Sequence, residues 1–142
     1  MPLAKGVPHS ELTYRIIGVA LGVHNKLGPG HPEEVYQKAQ ELKLPEAGLS
    51  FEAQKPLEVF LDGTALALYY LDFLVEGQVI VDIKALSERM SDLDLRQVIK
   101  YFAAMDCAVA LWINFGRKRL EYHRLFPPTK IADRRQEERS GQ

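Results

Sequence analysis

Two stretches near the start of the chain carry apolar residues at helical spacing. After Ser10, a residue type favoured at helix N-caps, apolar side chains recur every three or four positions as far as Leu27. The glycines and proline of residues 27–30 predict the end of this first helix. A second helix is predicted to begin at Pro32 and to finish before Gly48.

The middle of the chain has the alternating and continuous apolar runs of β-strands. Residues 62–63 (Asp-Gly) are a strong signal for a hairpin turn, and residues 76–77 (Glu-Gly) predict a second tight turn. Residues 55–56 (Lys-Pro) are expected to break the strand before the first turn. The run 79–84 is so apolar that we expect a strand buried on both faces. The predicted strands cover residues 49–54, 57–61, 64–70 and 79–84.

The last third of the chain adds one long helix and two strands. Ser91 predicts the cap of the helix, and residues 108–115 then form a continuous apolar strand. Because a helix precedes it, this strand is expected to run parallel to strand 79–84. Residues 119–125 alternate as a final strand, whereas the polar residues 129–142 predict a frayed helix or a disordered tail. The order α-α-β-β-β-β-α-β-β predicts an α/β fold with a mixed central sheet and helices on both faces.

The length of 142 residues is enough for one domain with a single well-buried core. We expect residues 10–126 to form that domain, between a flexible N-terminus (1–9) and a polar tail (127–142). The net charge of −1 lacks the basic excess typical of nucleic-acid-binding proteins, although a local basic groove is compatible with it.

Several classes of protein have no support in this sequence. The lone cysteine, Cys107, lies in an apolar run, and the Cys/His spacing of a zinc site is missing. There is no apolar run of a length near the ~18 residues of a membrane span. The N-terminus lacks the apolar core of a signal peptide, so we expect a cytoplasmic protein without a membrane partner. Neither a phosphate-binding Walker loop nor a dinucleotide fingerprint occurs, so ATP and NAD are not predicted.

Three charged residues interrupt the apolar runs around the second turn. Asp72 precedes the turn, whereas Asp82 and Lys84 follow it, two residues apart and on the same strand face as Ile80. Buried charges of this kind are normally paired or bound to a metal. Two carboxylates and a lysine at the end of a buried hairpin are the components of a hydrolytic metal site. The carboxylates would hold Mg²⁺, and the lysine would orient water or stabilise developing charge.

Motifs along most of the chain resemble one nuclease superfamily. Asp72 followed by residues 82–84 (Asp-Ile-Lys) is similar to the D…(D/E)-x-K signature of the PD-(D/E)XK nucleases. Residues 30–36 read Gly-x-x-Glu-x-x-Tyr, which resembles the motif that names the GxxExxY family, a branch of that superfamily. Further similar segments follow in the family's order between Ser10 and Arg124. They are residues 16–18, 23–24, 27–30, 54–56, 82–85, 97–101 and 113–116.

The resemblance implies metal-dependent hydrolysis of phosphodiester bonds in nucleic acid, with DNA favoured. It implies that Glu33, Asp72 and Asp82 bind one or two Mg²⁺ (or Mn²⁺) ions. Lys84 would position the attacking water, and Gln97 would complete the catalytic set. A homodimer also fits this reading, since small nucleases that cut duplexes often act in pairs. The residues expected to contact substrate are Tyr36, Lys55, Tyr101, Arg117 and Lys118, with Arg119 and Arg124 as further phosphate contacts.

Simpler roles remain open for several of these residues. Glu33 complements the dipole of its helix, and Gln97 and Tyr101, at i and i+4, can satisfy each other. The basic residues also fit a solvated edge. The chain departs from the family pattern at Leu71, near which an arginine is common, and at Asp82, where glutamate is common. The missing arginine near Asp72 and the near-neutral net charge favour the alternative of a catalytically inactive binding or assembly module, and hydrolysis of another phosphoester is a third option.

Overall fold

The computed structural model describes residues 7–140, apart from the side chains of residues 138 and 139, so most of the predicted N-terminal segment 1–9 lies outside it. Four helices and five strands make up the described chain. They are α1 (Ser10–Leu27), α2 (Glu33–Glu46), β1 (Phe51–Leu61), β2 (Thr64–Val75), β3 (Val79–Lys84), α3 (Asp92–Ala104), β4 (Val109–Asn114), β5 (Glu121–Leu125) and α4 (Thr129–Ser140).

The strands form one mixed sheet in the order β1-β2-β3-β4-β5. β3 and β4 are parallel, from the pair Val79–Val109 to the pair Lys84–Asn114, and every other neighbouring pair is antiparallel. The helix α3 therefore makes the crossover that the sequence predicts. The α/β class and the mixed sheet are confirmed.

One predicted break in the sheet is wrong. Lys55 and Pro56 do not interrupt the chain into two strands, because both remain paired with β2 inside β1. β1 is an edge strand and pairs with β2 alone in the described sheet. Pro56 lacks an N–H group, but the described chain places no second neighbouring strand there that would need one. The register shift instead lies between Val59 and Phe60, near the hairpin turn, although Gln54 has an unusual φ of 49°. Three strands, not four, therefore precede α3.

Each face of the sheet is covered by helices, as predicted. The alternation along β3 sends Val79, Val81 and Ile83 to the core under α1 and α2. Ile80 points the other way, into the core under α3, where Ile131 of α4 also packs. The buried helix residues facing the first core are Ile16, Ile17, Ala20, Val23, Tyr36 and Leu44. Those facing the second core are Val98, Tyr101 and Phe102.

The hairpin of β1 and β2 extends beyond the rest of the sheet. The two strands pair along their length, but only Phe73–Val75 of β2 pairs with β3. Asp62 and Gly63 both have positive φ, 49° and 80°, which is the predicted two-residue turn. Leu57 and Tyr69 pack in the core under α3. The hairpin leaves a row of large apolar side chains exposed: Phe60, Leu61, Leu66, Leu68 and Tyr70.

The helix termini confirm one predicted cap and correct another. Ser91 caps α3 in a reciprocal capping box with Asp94, as predicted. Ser10 does not cap α1, since the N-cap position belongs to His9 and makes no side-chain capping bond. The C-terminal segment is a helix, and the guanidinium of Arg135 donates to three carbonyl oxygens at 2.6–2.8 Å, those of Phe102, Met105 and Cys107. Among residues 7–140, no helix is long and apolar enough to cross a membrane.

The loop after β3 is fastened to the end of β4. Asn114 is fully buried, and its amide donates to the carbonyl oxygens of Leu86 at 3.0 Å and Glu88 at 3.1 Å. Its side-chain oxygen accepts from the N–H groups of Leu86 at 2.8 Å and Gly116 at 3.0 Å. Gly116 packs directly on the loop backbone, and a Cβ there would overlap Ala85 and Leu86. The carboxyl ends of the two parallel strands are therefore locked together.

A matched pair of Gly→Ala variants tests this contact. Gly116→Ala is expected to lower the free energy of unfolding by about 1–3 kcal/mol, because backbone atoms cannot rotate away from the new methyl group. Gly18→Ala, in an open position of α1, is expected to raise it by about 0.5–1 kcal/mol. Urea unfolding measures both values. Equal effects of the two changes would contradict the packing described for Gly116.

Candidate active site

The site begins where β2 separates from β3. The last pair of the ladder is Phe73–Val81, and beyond it the carboxylate of Asp72 accepts the N–H of Ile83 at 2.7 Å. The carbonyl of Asp72 accepts from the side-chain amide of Gln37 in α2, at 3.2 Å. The side chains of Asp72 and Gln37 thus make hydrogen bonds with strand backbone groups at the point where the β2–β3 ladder ends. These two bonds fix the first predicted acid at the end of the sheet.

Asp82 and Lys84 lie on the face of β3 that is turned toward α3. The side chain of Asp82 is only 5% exposed, and its Oδ2 lies 3.3 Å from the Nζ of Lys84. The other oxygen, Oδ1, accepts a long hydrogen bond of 3.5 Å from the same ammonium group. Oδ2 itself accepts no hydrogen bond within the described residues. This buried carboxylate oxygen is therefore compensated by the charge of Lys84 but not by a hydrogen bond, and it could accept a further ligand.

The charges of this pair are tuned by burial and by each other. Burial raises the pKa of Asp82 to about 7, with the Lys84 ammonium opposing the shift and Asp72 adding to it. Burial works to lower the pKa of Lys84, but the carboxylates of Asp82 and Glu33 outweigh it and raise that pKa above its ordinary value. Lys84 is consequently a cation at neutral pH and acts as a hydrogen-bond donor rather than as a base.

Glu33 enters the site from the first turn of α2. Partial burial and the charge of Asp72 raise its pKa, whereas Lys84 opposes the shift. Glu33 therefore lies within electrostatic range of Asp72 and Lys84. Gly30, at φ 106°, lets the preceding loop turn through a conformation that side chains rarely adopt.

Tyr36 fixes the loop that presents Glu33. Its hydroxyl donates to the carbonyl of Gly28 at 2.5 Å and accepts the N–H of His31 at 3.2 Å. The ring is fully buried and stacks on Phe115, with centroids 4.7 Å apart. This placement leaves no surface for the predicted contact with substrate, so we assign Tyr36 a positioning role. The spacing Gly-x-x-Glu-x-x-Tyr then has a physical meaning. Gly30 allows the loop to turn, Glu33 extends toward the site, and Tyr36 holds the loop in place.

The helix α3 borders the acids on another side. Gln97 donates to the hydroxyl of Tyr101 at 3.1 Å, so the two residues satisfy each other as the simpler reading expects. Burial and then the charge of Asp82 raise the pKa of Tyr101, which places this hydroxyl within electrostatic reach of the site. Tyr101 is 3% exposed, so it lies at the floor of the site and not at its rim.

The other predicted contacts lie on β1, on β5 and in the turn after β4. Lys55 forms an ion pair of 2.6 Å with Glu52 on β1. Arg124 donates to the hydroxyl of Thr13 at 3.0 Å and so ties β5 to α1. Arg117 and Lys118 lie in the turn after β4, and β4 is the strand that pairs in parallel with β3.

Sequence reasoning missed three residues that support the site. Gln37 holds the backbone of Asp72, Asn114 fastens the loop after β3, and His24 places its Nε2 2.9 Å from the carbonyl oxygen of Arg117. Gln37 carried a usable signal, because it lies four residues after Glu33 and shares its helix face. The partner of His24 lies 93 residues further along the chain, so only the fold reveals it.

The chemistry of these groups fits a divalent cation. Three carboxyl groups share the site with one ammonium group, which leaves an excess of negative charge, and Asp82 offers an oxygen that lacks a donor. Within the described chain, however, no three His, Cys, Asp or Glu side chains are gathered closely enough to hold a metal. Repulsion among carboxylates opposes such gathering when no cation compensates it.

A mixed α/β sheet with acids and a lysine at the end of its central strand is an architecture of metal-dependent nucleases. Comparison with protein families matches residues 10–125 to the PD-(D/E)XK nuclease superfamily. The match covers most of the chain, and the chain belongs to this superfamily. Its nucleases generally use divalent metal ions. No curated protein and no solved structure matches the chain.

The raised pKa of Asp82 predicts a pH-dependent stability in EDTA. An unfolded aspartate ionises near pH 4, whereas burial holds the folded group protonated until about pH 7. The contribution of Asp82 to stability is therefore present below pH 4 and is lost as the pH rises to 7. Asp82→Asn removes this loss, so its melting temperature should exceed that of the wild type increasingly between pH 4.5 and 8. Asp62→Asn, in the exposed hairpin turn, serves as the control with a constant difference. If the difference in melting temperature between Asp82→Asn and the wild type stays constant or narrows as the pH rises, the raised pKa of Asp82 is contradicted.

Proposed function

We propose that this protein is a Mg²⁺- or Mn²⁺-dependent nuclease of the GxxExxY branch that hydrolyses phosphodiester bonds, with DNA as the favoured substrate and the cytoplasm as its location. The proposal rests on the contacts at the end of the sheet, where the carboxylate of Asp72 accepts the N–H of Ile83 and the ammonium group of Lys84 lies 3.3 Å from Asp82. Glu33 of α2 lies within electrostatic range of Asp72 and Lys84. The family match over residues 10–125 supports the same reaction class.

Glu33, Asp72 and Asp82 are the proposed ligands of the cation. Bound there, a divalent ion would polarise the phosphoryl oxygen and lower the pKa of water. Asp82 contributes the oxygen that has no hydrogen-bond donor. Asp72 contributes the carboxylate oxygen that the N–H of Ile83 does not use.

Lys84 is the proposed donor to the reacting groups. Its pKa is raised, so the ammonium group keeps its proton at neutral pH and stabilises negative charge that develops on the phosphoryl oxygens. Its contacts with Asp82 hold it beside the proposed ligand. Gln97 and Tyr101 close the site from α3, and we propose that they orient the attacking water through the tyrosine hydroxyl.

A catalytically inactive binding module is the second candidate. Two observations favour it: the carboxyl groups of the described residues are not gathered as metal ligands, and one oxygen of Asp72 is occupied by a backbone N–H. In that case the acids would serve only to shape the end of the sheet.

Metal titration of thermal stability separates the two candidates. If the acids bind the cation, Mg²⁺ or Mn²⁺ should raise the melting temperature, because a ligand at about 100 times its Kd stabilises the folded state by ~2.7 kcal/mol. Asp82→Ala should abolish the rise, and Asp62→Ala should retain it. An unchanged melting temperature of the wild type at millimolar Mn²⁺ would favour the inactive module.

Cleavage assays test the chemistry directly. Plasmid and oligonucleotide DNA and RNA are incubated with Mn²⁺ and the wild type, Lys84→Ala or Lys43→Ala. Lys84→Ala should lower kcat by about 10²–10³, the effect of losing one donor to a developing oxyanion. Lys43→Ala is the control, because Lys43 pairs with Glu46 at the opposite end of α2. Equal cutting by all three proteins would assign the activity to a contaminant or to other residues. A gel-filtration profile of the wild type checks the proposed homodimer.

A further inference from the structure

A basic pocket lies beside the candidate active site. Its volume is about 510 Å³, and four cationic side chains line it, together with Leu120, Glu121 and Tyr122. The four cations are Arg89, Arg117, Lys118 and Arg119. The chain as a whole has a net charge of −1, so this concentration of positive charge is local and not a reflection of composition.

The cations of this pocket are available to a ligand. Within the part of the chain that the structure describes, Arg89, Lys118 and Arg119 are exposed and form no salt bridge. Arg117 is half-buried and lies 3.7 Å from Glu121, an ion pair longer than a hydrogen bond. Like charges repel at close range, so a cluster of this kind is unfavourable unless an anion compensates it.

The backbone that carries these cations is rigidly built. The carbonyl of Arg117 accepts from the Nε2 of His24, which is 7% exposed and reaches across from α1. Glu121 accepts the N–H of Met90 at 3.0 Å and the amide of Asn114 at 3.3 Å, so it connects the two loops that form the pocket. A solvated turn needs no such anchors. The fixed backbone therefore presents a preorganised set of charges.

The pocket lies within a short distance of the acids and Lys84. Arg89 is five residues beyond Lys84, which limits the separation of their Cα atoms to about 18 Å. Arg117 is three residues beyond Asn114, the direct partner of Lys84 in the sheet. The chain from Asn114 to Arg117 spans at most ~11 Å, and the spacing between β3 and β4 adds ~5 Å to reach Lys84. Successive phosphates of one nucleic-acid strand lie about 3.4 Å apart along the helix axis, so five nucleotides are enough to connect the two sites.

We propose that this pocket binds the backbone phosphates of the substrate strand within about five nucleotides of the bond that is cut. The assignment of the substrate as a nucleic acid rests on the proposed nuclease function. Guanidinium groups bind phosphate oxygens in bidentate fashion, and lysine adds a point charge. The acids repel a phosphate that approaches without a cation, so the pocket supplies the attraction that holds the strand across the site. Exposed cations that contact only phosphates give affinity without sequence preference.

Binding is measured first in EDTA, where cleavage plays no part. The probe is a fluorescein-labelled single-stranded 12-nucleotide DNA, followed by anisotropy between 25 and 200 mM NaCl. Lys118→Ala/Arg119→Ala should weaken binding at least tenfold, and the slope of log K against log salt should become shallower by about 1.4, or ~0.7 for each lost phosphate contact.

The matched control is Lys130→Ala/Arg134→Ala, which removes the same two residue types from exposed positions of α4. α4 follows β5, whose Leu125 pairs with Ala110, whereas Glu121 at its start pairs with Asn114. The control therefore changes the charge at the opposite end of the sheet, and its affinity and salt slope should match those of the wild type. Equal weakening by both variants, or no binding by the wild type, would overturn the proposal.

Cleavage in Mn²⁺ separates the pocket from the chemistry. Lys118→Ala/Arg119→Ala should raise KM for the 12-nucleotide strand and leave kcat unchanged, while hydrolysis of bis(p-nitrophenyl) phosphate, which is too short to reach the pocket, stays at the wild-type rate. A loss of hydrolysis for the small diester as well would place the two residues in the reaction itself and overturn the proposal. If no substrate is cut but the variant still loses oligonucleotide affinity, the nuclease function fails and the phosphate-binding pocket stands.

Discussion

The hydrogen bond from the N–H of Ile83 to the carboxylate of Asp72 is the constraint on which the site depends. At this point the sheet stops being continuous, since the ladder between β2 and β3 has ended one pair earlier. An unpaired N–H inside a sheet edge is unfavourable, and the aspartate both satisfies it and brings a negative charge beside Asp82. The structural requirement of the sheet and the chemical requirement of the site are therefore met by one side chain.

The two hydrophobic cores around the site offset the free-energy cost of burying its charged groups. Asp82 sits in a strand whose other residues are almost wholly buried, and its burial disfavours the ionised form. β3 and β4 exclude water because helices cover both of their faces. The low exposure of Asp82 strengthens its charge interaction with Lys84. A charged cluster of this kind is compatible with stability only in a fold whose central strands are held from both sides.

The sequence alone was sufficient for the main elements and for the acids, because alternation and turn signals are local. The spacing in β3 predicted which residues face each core, and the two aspartates and the lysine stood out against apolar neighbours. Pro56 misled the strand assignment because its effect depends on whether a strand is at the edge, which is a property of the sheet. Tyr36 lies in a recognisable motif, yet burial against Phe115 decides that it positions the loop. His24 and Asn114 lie in segments that resemble the family, yet their partners are 93 and 28 residues away, so the local pattern does not reveal their anchoring role.

The edge strand β1 combines several features that hinder addition of another strand. The register shifts between Val59 and Phe60, Pro56 lacks an N–H group, and Glu52 and Glu58 carry charge. The neighbouring surface of the hairpin displays large apolar side chains, which favour contact with other molecules. A regular edge next to such a surface would invite molecules to join edge to edge into fibres. The irregularities that obscure the strand in the sequence are thus features that oppose edge-to-edge pairing through the hairpin.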